Sequence, residues 1–156
     1  MKRMAVAWLA CFVVAVCLSN STPVMAIDFG SQEIVQAGGV DLQVVGYSVP
    51  SLVDWNNDQL KDLIVGEGGG SCDGKVRVYL NVGSKAEPQF DGFSYAQAGG
   101  ADLVCSASGC MGCFPRVLDW DEDGRKDLLV GQSDGTIRVF LGVADDSEPA
   151  FDGGTR

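Results

Sequence analysis

Histidine is absent from all 156 residues of the sequence. This absence excludes catalysis by a Ser–His–Asp triad or a Cys–His pair, and it excludes catalytic zinc held by imidazole. Basic residues are also few, since 11 Lys and Arg stand against 21 Asp and Glu, for a formal net charge of −10. A chain this acidic does not bind phosphate backbones through charge, so nucleic acid is not an expected partner.

The sequence also lacks an apolar stretch long enough to span a membrane. Lys2 and Arg3 precede about 15 uncharged residues, whereas a membrane-spanning helix needs about 20. Small or modest side chains then lead to Ala26, which is the layout of a secretory signal peptide over residues 1–26, cleaved before Ile27. An uncleaved anchor is the alternative. We predict a secreted, extracytoplasmic protein, in the periplasm or outside the cell, with no membrane span.

Helical periodicity is missing as well, while glycine is abundant, with 21 residues. The roughly 130 residues after the signal peptide suffice for one small domain. The predicted class is all-β.

Two parts of this domain have nearly the same sequence. Asp54-Trp55 returns as Asp119-Trp120, 65 positions later, and the other matches lie 61 positions apart. The repeat unit is therefore about 61 residues, and the second copy carries four extra residues before Pro115. The matching segments are 36–42 and 97–103, 50–66 and 115–131, 73–80 and 134–141, and 87–92 and 148–153.

Each copy is predicted to form four short strands. The first two are 51–53 and 63–65, with 116–118 and 128–130 in the second copy, and the second strand is a continuous apolar run typical of burial on both faces. Asp73-Gly74 and Asp134-Gly135 are hairpin turn signals. In the third strand, one predicted face carries Val76, Val78 and Leu80, and the other carries Arg77 and Tyr79. The fourth strand is predicted around Phe90 and Phe151.

Four antiparallel strands in a repeat of this length are typical of a propeller blade. A β-sandwich also uses short strands but does not repeat its sequence. We predict a partial β-propeller of two four-stranded antiparallel blades, with repeat 1 over residues 27–92, and repeat 2 with the start of a further blade edge over 93–156. Two blades cannot close a ring, so further blades or other copies are needed, and a fragment of a longer product is the expected explanation.

An acidic loop joins the first and second strands of each copy. Oxygen side chains at alternate positions of a tight loop converge on one point, and Ca²⁺ takes six to eight such oxygens. An EF-hand is excluded, because its twelfth position requires Glu and here holds Val65 or Val130. A solvated turn is the alternative, but its acids would repel each other without a cation. The predicted calcium ligands are the side chains of Asp54, Asn56, Asp58 and Asp62 with the main-chain oxygen of Leu60, and the side chains of Asp119, Asp121, Asp123 and Asp127 with the main-chain oxygen of Arg125.

The two loops differ at one position. Gly124 of the second loop is replaced by Gln59 in the first, and a left-handed Gln costs on the order of 1 kcal/mol. The second loop also offers four carboxylates against three and an amide. We therefore expect weaker calcium binding at the first loop.

The repeat resembles the FG-GAP (or VCBS-type) repeat of integrin α-chain propellers and many bacterial exported proteins. Its Asp-x-Asp-x-Asp-Gly-x-x-Asp-Leu loop and trailing strand carry the resemblance, which covers nearly all of residues 28–156. The resemblance implies calcium sites on one face of a propeller and ligand binding on the opposite face. It implies an exported, non-catalytic calcium-binding module for recognition of a protein or carbohydrate, as in cell adhesion.

Four cysteines remain after the signal peptide, namely Cys72, Cys105, Cys110 and Cys113. An even number in an exported chain predicts disulfides, and four cysteines allow three pairings between which the sequence does not choose. A bridge from Cys72 to the segment before Pro115 would link the two blades. A redox pair at Cys110 and Cys113 and a four-thiolate zinc site are the alternatives.

Residues outside the loops give weaker signals. Recognition would use side chains at the ends of the strands away from the calcium loops, the candidates being Glu67, Asp73, Gln132, Ser133 and Asp134. The alternatives are a polysaccharide-acting hydrolase with two carboxylates, or a purely structural repeat. The acids open to catalysis are isolated in the sequence: Glu33, Asp41, Glu67 and Asp102. The chain is not expected to be an enzyme.

Overall fold

The computed structural model describes residues 29–69, 72–108 and 111–154, and within them the chain forms β-strands and no helix. The all-β prediction is confirmed for this part of the chain, while the predicted signal peptide, residues 1–26, lies outside it. A compact unit begins at Glu33 and carries every described strand. The strands are β1 (Gln36–Ala37), β2 (Val40–Asp41), β3 (Val49–Val53), β4 (Asp62–Gly69), β5 (Cys72–Tyr79), β6 (Ser94–Tyr95), β7 (Gln97–Ala98), β8 (Ala101–Asp102), β9 (Val104–Cys105), β10 (Phe114–Leu118), β11 (Asp127–Gly131), β12 (Ile137–Phe140) and β13 (Ala150–Phe151).

The predicted first and second strands of both copies are in place. β3 pairs antiparallel with β4, and β10 pairs antiparallel with β11, so that Val53 faces Asp62 and Leu118 faces Asp127 at equivalent positions. Each acidic loop therefore closes the same end of its strand pair. Within the described ranges, no helix is long and apolar enough to cross a bilayer.

The sheets do not follow the four-strand pattern closely. The order β3-β4-β5-β6 makes an antiparallel sheet to which β9 adds through β5, and β10-β11-β12 makes a three-stranded one. β6 and β9 belong to repeat 2 by sequence, so the start of repeat 2 completes the sheet of repeat 1. Phe151 lies in β13, which pairs in parallel with β7, whereas Phe90 makes only isolated bridges with Ala37 and Asn81. The described sheets are open, and the propeller arrangement stays a prediction.

One predicted turn is wrong and its counterpart is confirmed. Asp73-Gly74 lies inside β5, because Gly74 pairs with Cys105 of β9 and the strand extends to meet it. Asp134-Gly135 does form a turn, where Gly135 has a φ of 82° and its N–H donates to the Gln132 carbonyl over 3.1 Å.

The main core lies between the two repeats, and a smaller one lies on the far side of the first sheet. Ile64 faces the main core while Leu63 and Val65 face the smaller one, which confirms burial of the second strand on both faces in repeat 1. The predicted face of Val76, Val78 and Leu80 is confirmed for the two valines only, since Leu80 lies beyond the end of β5 and is exposed. The residues of the main core are Trp55, Ile64, Val76, Val78, Ala96, Leu103, Cys105, Cys113, Leu128, Val130, Phe140 and Phe151.

Cys105 and Cys113 form a disulfide inside the segment that leads to β10, with their Cα atoms 6.0 Å apart. Both are buried in the main core. This pairing leaves neither of them as a thiolate, so the redox pair with Cys110 and the four-thiolate zinc site are both wrong. It also excludes a bridge from either of them to Cys72. The predicted roles of Cys110 and of the Cys72 side chain lie outside what is described.

Candidate metal centres

Asp62 fixes the first acidic loop at its closing end. It is fully buried and opens β4. One carboxylate oxygen accepts the Trp55 N–H over 2.7 Å, and the other accepts the Asn81 N–H over 2.8 Å. Trp55 begins the loop and Asn81 follows β5, so a single side chain ties together three consecutive parts of the first repeat.

The other two acids of this loop, Asp54 and Asp58, accept hydrogen bonds from backbone N–H groups of the loop itself. Asp54 Oδ2 accepts the Gln59 N–H over 3.0 Å, and Asp58 Oδ1 accepts the Leu60 N–H over 2.7 Å. The other oxygen of Asp54, Oδ1, is buried and has no hydrogen-bond partner in the described part of the chain. A buried carboxylate oxygen is costly to leave unsatisfied, and a bound cation is what would satisfy it.

The second loop repeats this construction. Asp127 is buried at the start of β11, where its two oxygens accept the Trp120 N–H over 2.6 Å and the Gly142 N–H over 2.7 Å. Asp119 Oδ2 accepts the Gly124 N–H over 3.0 Å, as Asp54 accepts that of Gln59. The two loops therefore use equivalent residues for equivalent bonds.

Three carboxylates converge in each loop. Oxygens of Asp54, Asp58 and Asp62 all lie within 4.8 Å of one another, and so do oxygens of Asp119, Asp121 and Asp127. Three hard, negatively charged oxygens at this spacing suit a divalent cation that prefers oxygen, Ca²⁺ or Mg²⁺ above all. Both loops therefore have the donor set for a metal ion, and the clustering brings together six of the ten predicted ligands.

The other four predicted ligands are not part of these two carboxylate clusters. Asp123 is turned to Arg125, with 3.2 Å between its Oδ2 and the Arg125 Nη1, and Asn56 directs its amide nitrogen to Asp58 Oδ2 over 3.1 Å. The convergent set thus includes Asp58 in the first loop but Asp121 in the second. Asn56 and Asp123, and the main-chain oxygens of Leu60 and Arg125, stay predicted ligands.

The backbone at Gln59 is left-handed, with a φ of 69°, and Gly124 at the same place has a φ of 87°. Only glycine adopts this conformation without a steric cost, so the geometry that disfavours Gln59 is present.

Replacing Gln59 with Gly should raise the free energy of unfolding by about 1 kcal/mol, because it removes the left-handed strain. Urea denaturation in the presence of a calcium chelator measures this without a contribution from metal. Gln89→Gly, at an exposed position where the backbone is not left-handed, is the matched control and should not stabilise the protein. Loss of stability on Gln59→Gly would contradict the assignment of strain.

Most residues predicted for recognition or catalysis are already engaged within the protein. Glu67 is buried, with its Oε2 2.5 Å from the Arg77 Nε, and it accepts a hydrogen bond from the Tyr95 hydroxyl over 3.1 Å. Burial, with this bond, raises the pKa of Tyr95. Gln132 is buried too, and its side-chain oxygen accepts the Ser106 N–H over 2.8 Å. Neither side chain is free to contact a partner.

The other candidates are more exposed. Asp102 is held by Gln97 over 2.7 Å and by Lys75 over 2.9 Å, and these bonds lower the pKa of Asp102. Asp41 accepts a hydrogen bond from Gln36, and Glu33 is exposed. Three exposed or half-exposed candidates stand at the strand ends away from the acidic loops: Asp73, Ser133 and Asp134.

Comparisons of the chain with protein-family models, with curated proteins and with solved structures found no match.

Proposed function

We propose that this protein is an exported calcium-binding β-repeat module of the FG-GAP or VCBS type, and that it recognises a protein or carbohydrate outside the cytoplasm without catalysis. The observation that carries the proposal is the duplicated convergence of three carboxylates; in the first of them, one buried oxygen of Asp54 has no hydrogen-bond partner among the described residues. Calcium is favoured over magnesium because its coordination is larger and more flexible, which suits loops rich in carboxylates.

Calcium would act on structure. The loops each join two strands, and Asp62 and Asp127 also hold the backbone after the third strand. A cation bound by the convergent oxygens would remove the repulsion among the acids and fix the ends of β3, β4, β10 and β11 relative to each other. The bound cation would thus neutralise the charge of the acids and make the loops rigid.

The opposite strand ends support the recognition part of the proposal. There the segment before β10 is closed by the Cys105–Cys113 disulfide, and the Cys113 N–H donates to the Glu67 carbonyl near the end of β4. A loop held in this way loses little conformational entropy when it contacts a ligand. A disulfide is also compatible with an extracytoplasmic location.

Calcium titration by calorimetry tests the metal sites directly. The wild-type chain should bind two calcium ions, with the weaker site assigned to the first loop. Asp54→Asn and Asp119→Asn should each remove one binding event, because each takes away one of three convergent carboxylates. Glu87→Gln, which changes an exposed acid outside both clusters, is the control. Retention of both binding events in the double variant would refute the assignment.

A further inference from the structure

The two repeats meet through unlike faces. We call the side of the first sheet that looks toward repeat 2 the back face, and the side of the second sheet that meets it the front face. The back face inserts Trp55, whose ring contacts the Phe151 ring edge-on at a centroid distance of 5.8 Å. Val78 of the back face and Phe140 of the front face lie in the same buried cluster. Back against front is thus the packing rule inside this chain.

The back face of repeat 2 has apolar residues at the equivalent positions but is much more exposed. Trp120, the counterpart of Trp55, is 54% exposed where Trp55 is 6% exposed. Ile137, the counterpart of Val76, is 61% exposed where Val76 is completely buried. Leu118, Leu129 and Val139 lie on this face too, together with Arg116, which is paired with Leu129. A sheet face with a large exposed tryptophan and isoleucine marks a site for a partner.

The front of repeat 1 is open in the complementary way. A groove of about 1130 Å³ is lined by Ile34, Val35, Pro88 and Phe90, among others. In repeat 2 the counterparts Tyr95, Ala96 and Pro149 line a smaller cavity of about 450 Å³, whose other walls include Trp55, Val78 and Leu80 of repeat 1. Val35 is 49% exposed, whereas its counterpart Ala96 is 2% exposed. The groove therefore lies on repeat 1 at the place where, on repeat 2, a back face packs.

Two further features of repeat 2 would allow a partner to pair and pack against it: the outer edge of β12 and the space around Gly131. β6 pairs with the edge of β5, but in the described part of the chain the corresponding edge of β12 has no strand partner. Residues 33–34 are the counterpart of β6. A Cβ on Gly66 would lie 2.0 Å from the Cys113 carbonyl oxygen, while a Cβ on Gly131 would meet nothing nearer than 3.5 Å. A covering backbone could therefore approach Gly131 as closely as the Cys113 backbone approaches Gly66.

The charges at this junction are complementary. Inside the chain, the Lys126 ammonium donates to the Trp55 carbonyl over 3.2 Å and to the Asn57 side chain. The counterparts are Lys61 for Lys126 and Glu122 for Asn57. Asn57 and Glu122 share a left-handed backbone with a φ of 61°, so the loops have the same shape there. A back-to-front contact between two chains would place the Lys61 cation against the Glu122 carboxylate.

From these observations we infer that the protein self-associates head to tail. The back face of repeat 2 in one copy docks in the groove at the front of repeat 1 in a second copy, with Trp120 in the place that Trp55 takes inside the chain. Residues 33–34 of the second copy add to the edge of β12 that is opposite β11. Such a contact joins two different surfaces, so it propagates into a ring if the rotation closes and into an open chain of molecules otherwise.

Sedimentation velocity of the purified chain in excess calcium tests this inference independently of the metal sites. The wild type should associate in a concentration-dependent way. Trp120→Glu and Val35→Glu should each weaken association at least tenfold, because a charge would be buried in the contact. Met111→Glu, at an exposed residue of the segment before β10 outside both faces, should associate like the wild type. Melting curves verify that every variant is folded.

Mixing the Trp120→Glu and Val35→Glu variants is the most specific test of the head-to-tail contact. Trp120→Glu keeps an intact groove and Val35→Glu keeps an intact back face, so an equimolar mixture should form a heterodimer that grows no further. A mixture that stays monomeric would overturn the head-to-tail contact, as would a wild-type chain that is monomeric up to about 1 mM, beyond which a Kd carries no useful affinity. Gly131→Ala should leave the melting temperature unchanged and still weaken association.

Discussion

Replacing Asp127 with Asn should lower the free energy of unfolding by about 3 kcal/mol, even when no calcium is bound. The buried carboxylate accepts two backbone N–H groups, from Trp120 and Gly142. Hydrogen bonds to a charged acceptor contribute about 1.5–3 kcal/mol each. Asn retains one acceptor but turns an NH₂ group toward the second N–H, so a buried donor loses its partner. Asp62→Asn in the first loop should behave in the same way.

Chemical denaturation in a chelator measures this effect apart from metal binding. Asp123→Asn is the matched control, because Asp123 is an exposed acid of the same loop that pairs with the exposed Arg125. That substitution should cost no more than about 1 kcal/mol. If Asp127→Asn lowered the free energy of unfolding as little as Asp123→Asn, the hydrogen bonds of Asp127 to Trp120 and Gly142 would not stabilise the loop as we infer.

Much of the candidate metal site could be predicted from the sequence, because it is local and duplicated. The 65-residue offset between Asp54 and Asp119 identified both loops, and the strands on either side of them formed where expected. The left-handed backbone at Gln59 followed from its place opposite Gly124. The second role of Asp62 was missed, because its bond to the Asn81 N–H spans 19 residues and depends on how β5 returns. The sequence signal that could have indicated this role is that an Asp, Asp127, stands at the equivalent position at the start of β11.

The features that failed to follow from the sequence depend on contacts distant along the chain. Asp73-Gly74 has the composition of a turn, but pairing of Gly74 with β9 draws it into β5. The cysteine spacing allowed three pairings, and packing of Cys105 and Cys113 in one core selected among them. The ion pair between Asp123 and Arg125 was not predicted either, although Asp123 stays a predicted ligand. The local sequence pattern thus predicted where these residues lie along the chain, but their interaction partners depend on tertiary contacts.

Calcium should raise the free energy of unfolding by several kcal/mol through the two loops together. A ligand that binds only the folded state adds about 2.7 kcal/mol per site at a free concentration 100 times its Kd. The convergent carboxylates exist only when β3 and β4, and β10 and β11, are paired, so the unfolded chain offers no such site. The stabilisation should therefore rise with calcium concentration.

Thermal unfolding of the wild type and of the Asp54→Asn/Asp119→Asn double variant, each in excess calcium and in EGTA, tests the calcium-stabilised repeat most directly. For the wild type, we predict a melting temperature clearly higher in calcium than in EGTA. For the double variant, the difference should be small, since each cluster has lost one carboxylate. Equal melting temperatures of the wild type in calcium and in EGTA, with both curves cooperative, would contradict a structural role for calcium in these loops.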